Sequence, residues 1–262
     1  MSVVQRNNVK VTGHGAQTIV FAHGFGCDQN MWRLVQPAFE PEFRTVLFDH
    51  VGAGGSDLSA YDVVKYDTLQ GYADDLVEIG RALDLNGAVF VGHSVSAMIG
   101  LLASIADQAL FSKLVLVSPS PRYIDDGAYR GGFAPGDIEE LLEALADNHL
   151  GWSAMMAPVI MANPDRPELG EELTNSFCRT DPAIAKQFAR VTFTSDNRAD
   201  LAKVSVPTLI LQCREDAIAP QEVGNYVRDH IAGSELVVLD ATGHCPNLSA
   251  PKDVIAAMRA FV

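Results

Sequence analysis

Basic residues are scarce in this chain. Its 262 residues hold 19 Lys and Arg against 33 Asp and Glu, a formal charge of −14, and no block of Lys or Arg interrupts the acidic excess. Such a surface repels phosphate backbones and anionic lipid headgroups, so neither nucleic acid nor a membrane is expected as a partner. Long apolar runs are missing too. No stretch reaches the roughly 18 residues of a membrane helix, and Met1 to Gly13 is polar and charged where a signal peptide would be apolar. The expected location is the cytoplasm. Cysteine is limited to Cys27, Cys178, Cys213 and Cys245, far apart and without CxxC pairing. That spacing suggests neither a zinc site nor a disulfide framework, and reduced thiols are expected. No internal repeat and no low-complexity tract breaks the chain.

What is present is a rhythm. Apolar residues make up 48% of the chain, enough for burial to offset the entropy of ordering. Short apolar runs, "TIVFAHG" (18–24), "TVLFDHVG" (45–52), "AVFVGHS" (88–94), "LVLVSPS" (114–120), "TLILQCRED" (208–216) and "LVVLDATGH" (236–244), read as strands that end in glycine or polar residues. Helical spacing fills 69–85, 95–107, 220–231 and 250–262 between them. This alternation predicts an α/β fold with a mostly parallel sheet flanked by helices. The opening "SVVQRNNVKVTG" reads as an antiparallel hairpin at the sheet edge. From about 121 to 204 no strand appears, which is too long for a loop. Ile138, Leu141, Leu142 and Leu145 repeat at helical spacing with Asp137 and Glu140 placed as a capping box. Trp152, Met155, Met156, Val159 and Ile160 repeat it, and Asp181-Pro182 opens another helix. The expected organisation is a core of residues 1–120 and 205–262 with a helical lid, 121–204, inserted in it.

"FVGHSVSAMIG" (90–100) carries the chemistry. A serine between a strand and a helix, with small residues around it, fits a nucleophile elbow, although Ser96 stands where G-x-S-x-G asks for glycine. A capping serine is the bland alternative. "AHGFG" (22–26) ends an earlier strand, and its turn could aim the Phe25 amide, together with that of Val95, at a developing oxyanion. Asp216 and His244 each follow a late strand, giving the chain order Ser, Asp, His. His244 would take the Ser94 proton, and Asp216 would fix the His244 tautomer. Glu215 is the rival acid. His93 is expected to support the elbow by packing or hydrogen bonding. "DHVGAGGSD" (49–57) lacks the GK[ST] ending of a phosphate loop and reads as a tight turn. Cys27 and Cys245 read as packing residues, and no metal or cofactor is expected.

With these residues assembled, the chain resembles the α/β-hydrolase family, and within it the RsbQ-like regulators of the bacterial stress sigma factor and the plant karrikin and strigolactone receptor hydrolases. The resemblance spans essentially the whole chain and rests on "HGFGCDQNMW" (23–32), "LFDHVGAGGSDL" (47–58), "FVGHSVSAMIGLLASI" (90–105), "SPSPRYIDD" (118–126), "GGF" (131–133), "FCRTDPAIAKQFAR" (177–190) and "LILQCREDAIAP" (209–220). It implies a four-helix cap over an apolar pocket and hydrolysis of small hydrophobic esters or lactone-like compounds. It also implies tolerance of serine at position 96, and a signalling role with a protein partner such as a PAS-domain phosphatase. Carried over residue by residue, Phe25, Phe133, Trp152, Met156, Phe193 and Ala219 are expected to line the pocket. Two other readings stand beside a working enzyme: a slow-turnover ligand sensor that activates a protein partner, and a lyase or haloperoxidase on the same scaffold.

Overall fold

The computed structural model describes residues 1–262. Its strands are β1 (Lys10–Thr12), β2 (Thr18–Ala22), β3 (Arg44–Phe48), β4 (Ala88–His93), β5 (Phe111–Val117), β6 (Thr208–Glu215) and β7 (Glu235–Thr242). They form one seven-stranded sheet in the order β1-β3-β2-β4-β5-β6-β7. Every pairing is parallel except that of β1 with β3. The helices are α1 (Val3–Arg6), α2 (Leu69–Ala82), α3 (Val95–Ala106), α4 (Pro135–Asp147), α5 (His149–Met161), α6 (Pro167–Arg179), α7 (Pro182–Thr194), α8 (Gln221–His230), α9 (Pro246–Ser249) and α10 (Pro251–Phe261).

The continuous apolar runs become strands because both faces of the sheet are covered. β4 is buried at every position. Alternate residues of β2 and β4 enter different cores: Ile19, Phe21, Val89 and Val91 pack with Val254 and Met258 of α10. Val20, Ala22 and Phe90 pack with Leu76 of α2, Met98 of α3 and Val227 of α8. Parallel neighbours put the C-termini of β2 to β7 on one rim, where the polar residues that end each run collect.

Four helices, α4 to α7, separate β5 from β6. Three of them follow the apolar periodicity, and α6 completes the four-helix cap that the family resemblance implies. Leu145, Trp152, Leu173 and Phe177 of these helices share one core with Phe21 and Val91 of the sheet, so the inserted helices sit directly on the rim. Asp181 accepts from the amides of Ala183 (2.9 Å) and Ile184 (3.1 Å), with Pro182 in the first turn of α7, as its sequence predicts.

Two local expectations are corrected. The N-terminal segment is no hairpin: Ser2 and Gln5 close a capping box that winds Val3–Arg6 into a helical turn, and β1 then pairs with β3. In α4, Asp137 is the third helical residue, its carboxylate accepting the Ala134 amide at 2.9 Å. Pro135 begins that helix three residues earlier than the Asp137–Glu140 spacing suggests.

Candidate active site

Ser94 lies between the end of β4 and the first residue of α3, with φ 56° and ψ −123°. A non-glycine residue in that region costs about 1–3 kcal/mol, and the surrounding structure has to enforce it. The Ser94 amide is tied to the Val117 carbonyl of β5 at 2.8 Å. On the other side the chain passes so close to itself that a Cβ on residue 92 would lie 2.5 Å from the Ser96 carbonyl oxygen, which is why glycine stands there.

His244 approaches from the loop after β7. Its Nε2 is 2.7 Å from Ser94 Oγ and its Nδ1 is 2.7 Å from Asp216 Oδ2. The other Asp216 oxygen accepts the amides of Ile218 (2.8 Å) and Ala219 (3.0 Å), which fixes the carboxylate in the turn after β6. Because β6 and β7 are neighbours, the two turns meet, and the Gly243 amide donates to the Glu215 carbonyl at 2.7 Å. The Glu215 side chain is exposed, whereas Asp216 and His244 are buried. With Asp216 as acceptor, Nδ1 carries the imidazole hydrogen and Nε2 is free to accept from Ser94. The arrangement can move the Ser94 proton to His244 and stabilise the resulting imidazolium.

Three further contacts hold this set. His93 Nε2 donates to the His244 carbonyl at 2.8 Å. Burial pushes the His93 pKa down to about 3, with His244 beside it adding to the effect, so His93 is a neutral strut. The His244 amide donates to the Ile160 carbonyl at the end of α5 (2.8 Å), tying the inserted helices to the imidazole. Ser96, merely tolerated in the sequence reading, has its own function here. Its Oγ donates to the His23 carbonyl (2.5 Å) and accepts from His50 Nε2 (2.7 Å), joining the ends of β2 and β3 to the first turn of α3. The histidines in "AHG" and "FDHVG" are the sequence signal for that buried network. Asp49 braces the loop 49–57 by accepting the amides of Gln29 and Gly55, each at 2.8 Å, which makes it the tight turn its composition predicts.

The Phe25 and Val95 amides find no acceptor among the loops and caps around them. The turn that carries Phe25 is clasped by α6: Ser176 Oγ donates to the Gly26 carbonyl at 2.8 Å, and the Phe177 ring lies on Gly26, whose φ is +67°.

The space above Ser94 is a cavity of about 30 Å³. Phe25 and Phe193 line it as expected, joined by Tyr123, Ile160, Leu173, Phe177 and Ile218, with Cys27 and Cys245 in the wall. Four expected residues do not line it. Trp152 stands behind, its ring centroid 6.2 Å from that of Phe25 and 5.5 Å from that of Phe177. Ala219 is fully buried and gives its amide to Asp216. Met156 is half-buried against the core that the inserted helices share with the sheet, and Phe133 pairs with the backbone of the loop holding Tyr123. Sequence reasoning missed Tyr123, whose hydroxyl is 3.4 Å from Ser94 Oγ, and Thr192, whose Oγ1 is buried without a partner in the cavity wall. Tyr123 sits inside "SPSPRYIDD"; nothing marks Thr192. Both cysteines are neutral packing groups, with burial pushing the Cys27 thiol up to about 12 and that of Cys245 well above its ordinary value.

A sheet with this strand order, an elbow serine at its C-terminal rim and acid and histidine turns beside it define a class. The chain belongs to the alpha/beta hydrolase family, whose model matches residues 19–257. Within that family it is similar to a hydrolase from Oleispira antarctica of known structure, with a TM-score of 0.97 and 42% identity over 99% of this chain and 95% of the other. It is also 39% identical to the strigolactone esterase D14 of Arabidopsis thaliana, over 98% of this chain and 97% of that one. The karrikin insensitive 2 receptor CA of Petunia hybrida is likewise 39% identical, over 98% and 95%. The chain is therefore a hydrolase.

Proposed function

We propose that this hydrolase cleaves small apolar esters or lactone-like compounds, with Ser94 as nucleophile, His244 as base and then acid, and Asp216 as the group that orients His244. The amides of Phe25 and Val95 receive the oxyanion, and residues 121–204 act as a lid. The observation that carries this reading is the pair of 2.7 Å hydrogen bonds running from Ser94 through His244 to Asp216. The aromatic wall favours an apolar acyl or ring portion, and the unpartnered Thr192 hydroxyl offers one polar contact to it. The name strigolactone esterase, borne by a relative, is consistent with a lactone-bearing substrate.

Ser94→Ala tests the assignment. Turnover of p-nitrophenyl acetate should fall by roughly 10³-fold or more, as it does when one member of a triad acting as a unit is lost. Retention of more than a tenth of the activity would reject Ser94 as nucleophile.

A second reading is favoured by the hydrogen bond from His244 to the α5 carbonyl and by the receptor names of relatives. In it, turnover is slow and the closed lid is presented to a signalling protein, a PAS-domain phosphatase being the partner implied by the RsbQ-like resemblance. This reading requires Ser94→Ala to keep the thermal shift given by a butenolide; loss of that shift counts against it.

A further inference from the structure

Tyr123 has the strongest claim to unassigned chemistry. Its side chain is 1% exposed, its ring packs edge-on against Phe193 with centroids 5.1 Å apart, and its hydroxyl reaches Ser94 Oγ at 3.4 Å. The direction of that hydrogen bond follows from Ser94, which uses its single hydrogen on His244 Nε2 at 2.7 Å and so accepts from the phenol. The loop beneath fixes the position. The Phe133 amide donates to the Tyr123 carbonyl at 3.2 Å, and Gly131 lets the chain pass where a Cβ would come within 2.4 Å of the Tyr123 backbone. Burial raises the phenol pKa, so Tyr123 remains a donor through the neutral range.

Resting on the triad reading above, we propose that Tyr123 is a catalytic residue that donates a hydrogen bond to the leaving-group oxygen of the substrate. When Ser94 Oγ bonds to the acyl carbon, every oxygen on that carbon lies two bonds from Oγ. A donor already touching Oγ is then within reach of one of them. The two backbone amides take the former carbonyl oxygen, which leaves the alkoxy oxygen for Tyr123. In the forward step the Oγ–C bond forms and the Ser94 proton passes to His244. The C–O bond to the leaving group then breaks, its electron pair goes to the departing oxygen, and His244 returns the proton to that oxygen. Tyr123 keeps its own proton and stabilises the charge in transit. Such a donor matters little to a leaving group that is already stable as an anion and much to a basic one.

The test is a series of acetate esters with p-nitrophenyl, phenyl and ethyl leaving groups, assayed with the wild type and with Tyr123→Phe, Ser94→Ala and a 3-fluorotyrosine at position 123. The Phe variant should lose only a few-fold on the p-nitrophenyl ester and roughly 10²-fold on the ethyl ester, the magnitude typical of one removed charge-stabilising donor. The fluorinated phenol, a stronger donor of the same shape, should flatten the dependence of kcat on leaving-group basicity, which keeps the proposal open to test if the Phe variant does not fold. An equal loss on all three esters, or no loss, with Ser94→Ala inactive, overturns the role of Tyr123 alone. Activity remaining in Ser94→Ala overturns the triad reading with it.

Discussion

Ser96 illustrates how a departure from a motif can be structural wiring. Replacing it by alanine leaves His50 Nε2 and the His23 carbonyl without their partner in a buried site. Each unsatisfied group costs about 1–3 kcal/mol, so urea denaturation of Ser96→Ala should show a loss of at least about 1 kcal/mol. An unchanged midpoint would mean that the network contributes nothing. The thiols make a second prediction at this scale. Cys27, Cys213 and Cys245 are buried, with pKa values raised by desolvation, whereas Cys178 is half-buried. Iodoacetamide at pH 8 should therefore label Cys178 first, read by peptide mass spectrometry. Prior labelling of Cys245 would contradict the packing described. Ser94, Asp216 and His244 are legible in the sequence because each lies within two residues of a strand end, and parallel strands deliver such residues to one rim. Tyr123 and Thr192 are not legible: one depends on how a loop folds back on Gly131, the other on which face of the inserted helix α7 meets the cavity.

The elements were largely readable where one physical rule governs them. Strand segments buried on both faces must be largely apolar, and the runs within β2 to β6 advertise that. The N-terminal turn was misread as extended because the capping box in "SVVQ" was overlooked, and the local hydrogen bonds of Ser2 and Gln5 prevail. The cavity wall was less legible than the strands, because α6 has only a sparse apolar repeat of its own in the sequence; its Leu173 and Phe177 line the space over Ser94, whereas Met156 and Phe133 do not. The docking of α6 on the turn that carries Phe25 gives a prediction for the element. Gly26 has φ +67°, and a Cβ there would meet the Phe177 ring at 2.1 Å. Gly26→Ala should push α6 from the turn and cost more than the ~1 kcal/mol of the backbone conformation alone. It should lower kcat and speed proteolysis between α5 and α7. Wild-type kcat in this variant would uncouple the helix from the site.

At the scale of the whole molecule, no helix is long and apolar enough to cross a membrane, and the acidic surface sets the context for pH. His93 titrates at about 3 in the folded chain and His50 well below its ordinary value, both because burial disfavours the cation. In the unfolded chain they bind protons near pH 6.5. Between those limits the unfolded state holds more protons, so stability falls as pH drops below about 6.5, by up to ~1.4 kcal/mol per pH unit for each histidine. Relief of self-repulsion works in the opposite direction, since the charge of −14 shrinks toward the isoelectric point near 4.8. A melting temperature that falls between pH 6.5 and 5, with a shallower fall in His50→Gln, would show that the buried imidazoles win. A rise over that interval would show that surface charge does.

The smallness of the space over Ser94 has a kinetic consequence. Thirty cubic ångströms accommodates a water molecule and little else, far short of the roughly 300 Å³ or more typical of ligand sites. The space is thus too narrow as it stands for an acyl group, and part of its wall must yield before one can enter. Capture of substrate then becomes a gated event: in stopped-flow mixing the observed rate should level off at high ester concentration, at the same plateau for p-nitrophenyl and phenyl acetate, because opening and not acylation sets it.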